Sequence, residues 1–256
     1  MHHYLLSNNG RLKNIRDPNR GISENMVIAA KKPEHINRKP ASNLHHATRF
    51  AGRGKKAKGE SKDDKVAGQP HLNLPLTHFV TINFTKLGKT SRDVSVIFQA
   101  LRAQRFAVWL RRHPRNAKAK IPATYVWVHE GAGGQAAVHW AVHIPRGMRQ
   151  EFRRQLPLWI ASVSEARWAK HKRVADVDPV EKGIVVIKPI YNMTGLKRYM
   201  LKGVDPEYAA LYKVNPVPQG PVSGQRSGFS RNLGPTARKA AGYKPKRGFP
   251  QITARG

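Results

Sequence analysis

The sequence predicts an α+β fold: a ferredoxin-like β-α-β-β-α-β core, its antiparallel sheet carrying helices on one face, plus one added helix and disordered basic arms on either side. Three observations predict it. Apolar residues alternate with period 2 at four places between residues 77 and 189, apolar residues at helical spacing fill the intervals, and regular patterning stops outside that stretch.

The first strand covers 77–84, where Val80, Ile82 and Phe84 alternate with Phe79, Thr81 and Asn83. Ser91 then caps a helix with Asp93 in its first turn. Val94, Ile97, Phe98 and Leu101 recur on one face before a basic end at Arg111, Arg112 and His113, charges that suit the helix dipole. Strands over 124–130 and 136–144 flank Gly131, Gly133 and Gly134, whose tolerance of positive φ fits a hairpin connection. A long helix follows Pro145, with Met148, Phe152, Leu156, Trp159, Ile160 and Val163 on one side and Pro157 as an expected kink. Residues 183–189 form the fourth strand and 194–201 the added helix. Such a unit leaves one sheet face open, where a single nucleic-acid strand can lie.

Residues 1–74 mix Lys, Arg, Asn, Gly, Ser and Pro without a sustained period, so they are read as a disordered basic arm. The folded domain is set at 75–212. Residues 213–256 are read as a basic, mostly extended tail, since Pro216, Pro218, Gly220, Pro221 and Gly224 crowd its start.

Charge narrows the partners. The 256 residues carry 47 Lys plus Arg against 15 Asp plus Glu, a net +32, and a compact chain with that imbalance repels itself unless a polyanion screens it. Nucleic acid is the expected partner. No apolar run approaches the length of a membrane span and no secretory signal is read, so no membrane partner and a cytoplasmic location are expected. The absence of Cys excludes disulfides, thiolate metal sites and a Cys nucleophile. Of the twelve His, His2, His3, His45 and His46 lie in polar segments and are read as surface residues.

Four motifs follow one another in a telling order: Phe79-Val80-Thr81-Ile82-Asn83-Phe84, then Val126-Trp127-Val128-His129-Glu130, then Val138-His139-Trp140-Ala141-Val142-His143-Ile144-Pro145, then Tyr199-Met200-Leu201-Lys202-Gly203. This order resembles the replication-initiator-like endonucleases of the His-hydrophobe-His superfamily found on bacterial plasmids and phages. The run from Gln219 to Arg226, with Asn232, Leu233, Gly234, Ala237 and Arg238, resembles the downstream region of an alphaproteobacterial branch. The resemblance covers roughly residues 76–240.

It implies a nickase of single-stranded DNA in rolling-circle replication, in which a tyrosine attacks phosphorus and leaves a 5′-phosphotyrosine link. Tyr199 matches the nucleophile and Lys202 the lysine three residues on, a spacing that shares one helix face. The resemblance further implies Mg²⁺ or Mn²⁺ on two His and one acidic or polar side chain. Glu130 matches the carboxylate and His139 the second His, while Ala137 stands where the first His belongs and cannot ligate.

Alternation along the third strand puts Ala137, His139, Ala141 and His143 on one face. His143 lies about 13 Å from His139, too far to share an ion. His129 could replace the missing ligand from across the hairpin, but it points away from Glu130 unless a bulge intervenes. His139 is either a ligand or a hydrogen-bonded sheet histidine, and Tyr199 either a nucleophile or a ring packed on the sheet. Tyr125 and Trp127 either stack bases or belong to the core. Arg111, Arg112, Lys197 and Arg198 are expected to meet phosphates. Two functions stand: the nickase, and a binding protein that kept the fold after losing metal ligation and acts as a replication accessory or repressor. An RNA-associated basic protein is a third reading, which the ordered motifs leave unexplained.

Overall fold

In a computed structural model, residues 34–52, 72–164 and 183–244 are described. Among them, five strands form one antiparallel sheet in the order β4-β1-β3-β2-β5: β1 His78–Asn83, β2 Tyr125–Glu130, β3 Ala137–Val142, β4 Val185–Pro189 and β5 Ser227–Phe229. The predicted α+β class and the β2–β3 hairpin are both present. Register between β1 and β3 sets Thr81 opposite His139 and Asn83 opposite Ala137, and on the other flank Glu130 pairs with Ala137.

The face bearing Val80, Ile82, Trp140 and Val142 packs on three helices: α2 Ser91–Ala100, α3 Ala107–Arg112 and α4 Arg149–Ser164. A π-helical stretch, Leu101–Phe106, joins α2 to α3. Thr90, one residue before the expected cap, starts α2 through a capping box with Asp93, because its hydroxyl reaches the free N–H of Arg92 while its own N–H donates to Asp93. Pro157 does not divide α4, which runs unbroken past it.

The second face is not bare, and this corrects the expectation of an open side and of disorder throughout 1–74. Helix α1, Arg38–Phe50, lies on it together with α5 Met193–Met200 and α6 Pro206–Tyr212, sharing a second core with Val126, Val128 and Ala141, to which Leu233 and Tyr243 add from either side of α7 Pro235–Ala240. Ala41, Leu44, Ala47 and Phe50 recur every third residue along α1 among Arg, Asn and His, so the apolar stripe is narrow and diluted. Backbone bonds pin its start: Ile36 N–H donates to the Gly203 carbonyl at 2.7 Å, and Asp205 N–H to the Ile36 carbonyl at 3.1 Å. The folded unit therefore extends beyond 75–212 at both ends. The tail supplies β5 and α7 within its described part; residues 1–33, 53–71 and 245–256, the rest of the expected arms, lie outside the described residues.

His46, read as a surface residue, is buried against Tyr243. Burial, reinforced by Arg238 and Arg49, pushes it down to about 4 from the ordinary 6.5. Burial also lowers His78 to about 4, with Arg149, Arg153 and His143 adding to it, and His129 to about 3, with Arg226 and Arg102 adding. Each folded value lies below the unfolded one, so the unfolded chain binds more protons below pH 6.5. Stability is fully present above that value and is lost as pH falls toward 4, by up to about 1.4 kcal/mol per pH unit for each imidazole. Thermal melts between pH 7 and pH 4 are expected to show Tm falling throughout that window, and less steeply in His129→Phe. A Tm independent of pH there would contradict the account.

Candidate active site

The face of β1, β2 and β3 that carries Thr81, His139 and Glu130 also receives α5. Asn192 starts α5 by accepting the Gly195 N–H at 2.8 Å, and Leu196 and Met200 turn into the second core. That rotation leaves Tyr199 pointing along the sheet toward His139, and the turn after the helix brings Lys202 back to the same spot. The Lys202 carbonyl accepts the Val217 N–H at 2.7 Å, so the tail fixes this turn.

The tail also holds the end of β2. His129 N–H donates to the Arg226 carbonyl and Gly131 N–H to the Gln219 carbonyl, both at 2.7 Å. The buried Arg226 guanidinium donates to the carbonyls of His129 and Gly220. Gly220, at φ +65°, passes so close to Gly131 that a Cβ would sit 2.3 Å from the Gly131 oxygen. Only glycine fits there, and the contact fixes the strand end that presents Glu130.

Four side chains meet. The Lys202 ammonium donates to both Glu130 carboxylate oxygens, at 3.1 and 3.2 Å, and lies 3.3 Å from the Tyr199 hydroxyl oxygen and 4.4 Å from the ring centroid. His139 Nε2 is 2.5 Å from Glu130 Oε2 and 3.1 Å from the Tyr199 hydroxyl. The hydrogen bond from His139, helped by Lys202 and opposed by burial, holds the Glu130 carboxyl at about 2, so it is ionised near neutral pH. An ionised carboxylate requires the proton on Nε2, which leaves Nδ1 to accept from the Thr81 hydroxyl at 3.0 Å. Phe79 stacks flat on the His139 ring, with centroids 5.7 Å apart and planes 7° apart, and meets Tyr199 edge-on at 5.3 Å. Tyr199 oxygen thus lies beside the Lys202 ammonium and the Nε2 edge of His139, while the residue stays 38% exposed.

Sequence reading named Tyr199, Lys202, His139 and Glu130, and the fold brings all four together. It gave no role to Thr81 or Phe79, which orient the imidazole. Their alternation on β1 put them on one face, and only the register of β1 against β3 shows that this face is the His139 face.

The other candidates lie elsewhere. His129 points to the helical side, between Phe98 and Trp127, because β2 pairs with β3 without a bulge and strict alternation turns it away from Glu130. His143 lies beyond the end of β3, where its Nδ1–H donates to the Pro75 carbonyl at 2.7 Å, a structural role. Tyr125 and Trp127 are buried in the helix-side core, the first accepting from Arg102 at 3.1 Å and the second meeting Phe98 edge-on at 5.5 Å, so neither can stack a base. Lys197 and the exposed Arg198 lie on α5 near the site, whereas the exposed Arg111 and Arg112 lie on the opposite layer.

A divalent ion needs several donors that converge on one point. Glu130 and His139 are adjacent, but Ala137, directly across from Glu130, offers no third donor, and the Lys202 ammonium already neutralises the carboxylate. Among the described residues, no three His, Cys, Asp or Glu are grouped as a metal site. As arranged, the residues do not fit Mg²⁺ or Mn²⁺, which need several oxygen or nitrogen ligands and gain nothing beside a fixed ammonium.

No helix among the described residues is long and apolar enough to cross a membrane. Comparisons with protein-family models, with curated proteins and with solved structures give no match for this chain.

Proposed function

We propose that this chain nicks single-stranded DNA with Tyr199 as nucleophile. The observation that carries the reading is the hydroxyl of the partly exposed Tyr199, held 3.3 Å from the Lys202 ammonium and 3.1 Å from His139 Nε2 beside an ionised Glu130. A tyrosine that only packed its ring on the sheet would not need an ammonium at its oxygen.

In the reaction, Tyr199 Oη forms a bond to phosphorus and the bond from phosphorus to the 3′ oxygen breaks. The phenolic proton passes to solvent and a proton from solvent ends on the departing 3′ oxygen, so the products are a 5′-phosphotyrosine link and a 3′-hydroxyl. Lys202 stabilises the charge that develops as the proton departs, and the same ammonium attracts the phosphate. Glu130 keeps His139 protonated at Nε2, while Thr81 and Phe79 hold the ring in place. The net charge of +32 supports a nucleic-acid substrate through phosphate contacts, with affinity that falls steeply as salt rises.

The test is incubation of the full chain with single-stranded oligonucleotides from candidate origins, labelled on the 3′ side of the cleavage point. A covalent protein–DNA adduct that maps to the peptide containing Tyr199 is expected. Salt-sensitive binding of single strands with no adduct on any origin would replace the nickase by a binding protein built on the same fold.

A further inference from the structure

The helical layer on the side of the sheet away from Tyr199 carries charge that the site does not use. Between residues 101 and 164 the chain has eleven Lys and Arg against two Glu. Glu130 faces the site. Glu151 is occupied by the Trp109 indole N–H at 2.8 Å and by His113 Nε2 at 2.9 Å.

Those two bonds, with the Arg115 guanidinium donating to the Gly147 carbonyl, lock the end of α3 against the start of α4. The lock joins two segments that carry exposed arginines, Arg111, Arg112 and Arg115 on one and Arg149, Arg153 and Arg154 on the other. Arg149 and Arg153 are near enough to depress His78, and Arg154 near enough to depress Glu151. Among the described residues no salt bridge joins any of the six to a carboxylate. Six exposed guanidinium groups on these joined segments leave the layer strongly positive until a polyanion arrives, and the planar fork of Arg suits phosphate oxygens.

The chemistry of this layer differs from that of the site face. The exposed large aromatics among the described residues are Tyr191, 77% exposed, and Tyr199, 38% exposed, which flank and belong to α5 on the other side. Trp109 and Trp159 are partly buried against the core of the helical layer. Single strands are held by cations together with exposed rings on which bases stack, whereas a duplex hides its bases and offers phosphates. Cations without exposed rings match the second.

We infer that the α3–α4 face binds duplex DNA through its phosphates while the opposite face receives the single strand. This rests on the nickase reading for the single-stranded side only.

The experiment compares the full-length chain with a variant carrying Arg111→Glu, Arg112→Glu, Arg153→Glu and Arg154→Glu, and with the milder Gln version in case the first folds poorly. Binding to a blunt duplex and to a single strand is measured across salt concentrations, alongside adduct formation on the single strand. The expected result is a fall of about 3 to 4 in the salt slope for duplex, from loss of four phosphate contacts, with single-strand affinity and adduct yield little changed. Duplex binding equal to wild type, parallel loss on both nucleic acids, or a wild type that ignores duplex would each overturn the inference. If the duplex result holds but wild type forms no adduct, the inference stands and the nickase reading falls.

Discussion

Tyr199→Phe is expected to abolish covalent capture of DNA, at least about a thousandfold, while the fold stays within about 1.5 kcal/mol of wild type. The ring remains, so its edge-on contacts with Phe79 and His139 survive, and only the hydroxyl beside Lys202 and His139 is lost. Lys202→Ala attacks the same step from the other side. It removes the ammonium that faces the nucleophilic oxygen, and a fall of about a hundred- to a thousandfold in adduct rate is expected, as for loss of one preorganised donor in other enzymes. Lys202→Arg should recover part of it, because the charge returns in a different shape. The measurement is a time course of adduct on gels, with single-strand affinity recorded in parallel. Adduct that persists in Tyr199→Phe would move the nucleophile elsewhere; adduct unchanged in Lys202→Ala would make the lysine a partner of Glu130 alone.

Ala137→His is expected to turn a site without saturable Mn²⁺ binding into one that takes a single ion. Position 137 lies opposite Glu130 in the β2–β3 register and two residues from His139 on the same face, about 7 Å away between Cα atoms. Side chains at that spacing converge, so the substitution would set three donors around one point where there are now two. A bound ion would also compete with Lys202 for Glu130, and its charge would serve the phosphate. Calorimetry with Mn²⁺ on wild type, His139→Ala, Ala137→His and Ala137→His with His139→Ala reads the binding directly, and adduct rates with and without Mn²⁺ read its consequence. One-to-one binding by wild type that vanishes in His139→Ala would show that two donors suffice and that the fit argument is wrong. No binding by either protein would show that position 137 is not placed to ligate.

Much of the domain was legible in the sequence because local rules and tertiary packing agree there. Val80, Ile82 and Phe84 alternate in the sequence and lie together in the helix-side core; Phe98, Phe152 and Leu156 recur at helical spacing and pack against them. Tyr199 and Lys202, three residues apart, are neighbours although Lys202 lies beyond the end of α5, because the turn after the helix keeps winding and the Lys202 N–H donates to the Tyr199 carbonyl at 3.2 Å. The motif order named the residues of the site.

What remained hidden depended on residues far apart in the chain. Helix α1 hides its apolar stripe among Arg, Asn and His, and its burial comes from α5, α6 and the tail, none of which a local window contains. Pro and Gly act locally as breakers and so predict an extended tail, yet Gly220 allows the close approach to Gly131 that anchors β2. For Trp127 the pattern left both sheet faces open, and the helices decided it. By itself the sequence determined the class of fold, the excess of positive charge and the chemical groups available, because composition and periodicity are properties of neighbouring residues. Only the tertiary structure decided that the second sheet face is covered, that Thr81 and Phe79 orient His139, and that Lys202 stands between Glu130 and Tyr199. Strand register and helix docking bring those groups together over separations of up to 123 residues, between Phe79 and Lys202, and no local pattern encodes such distances.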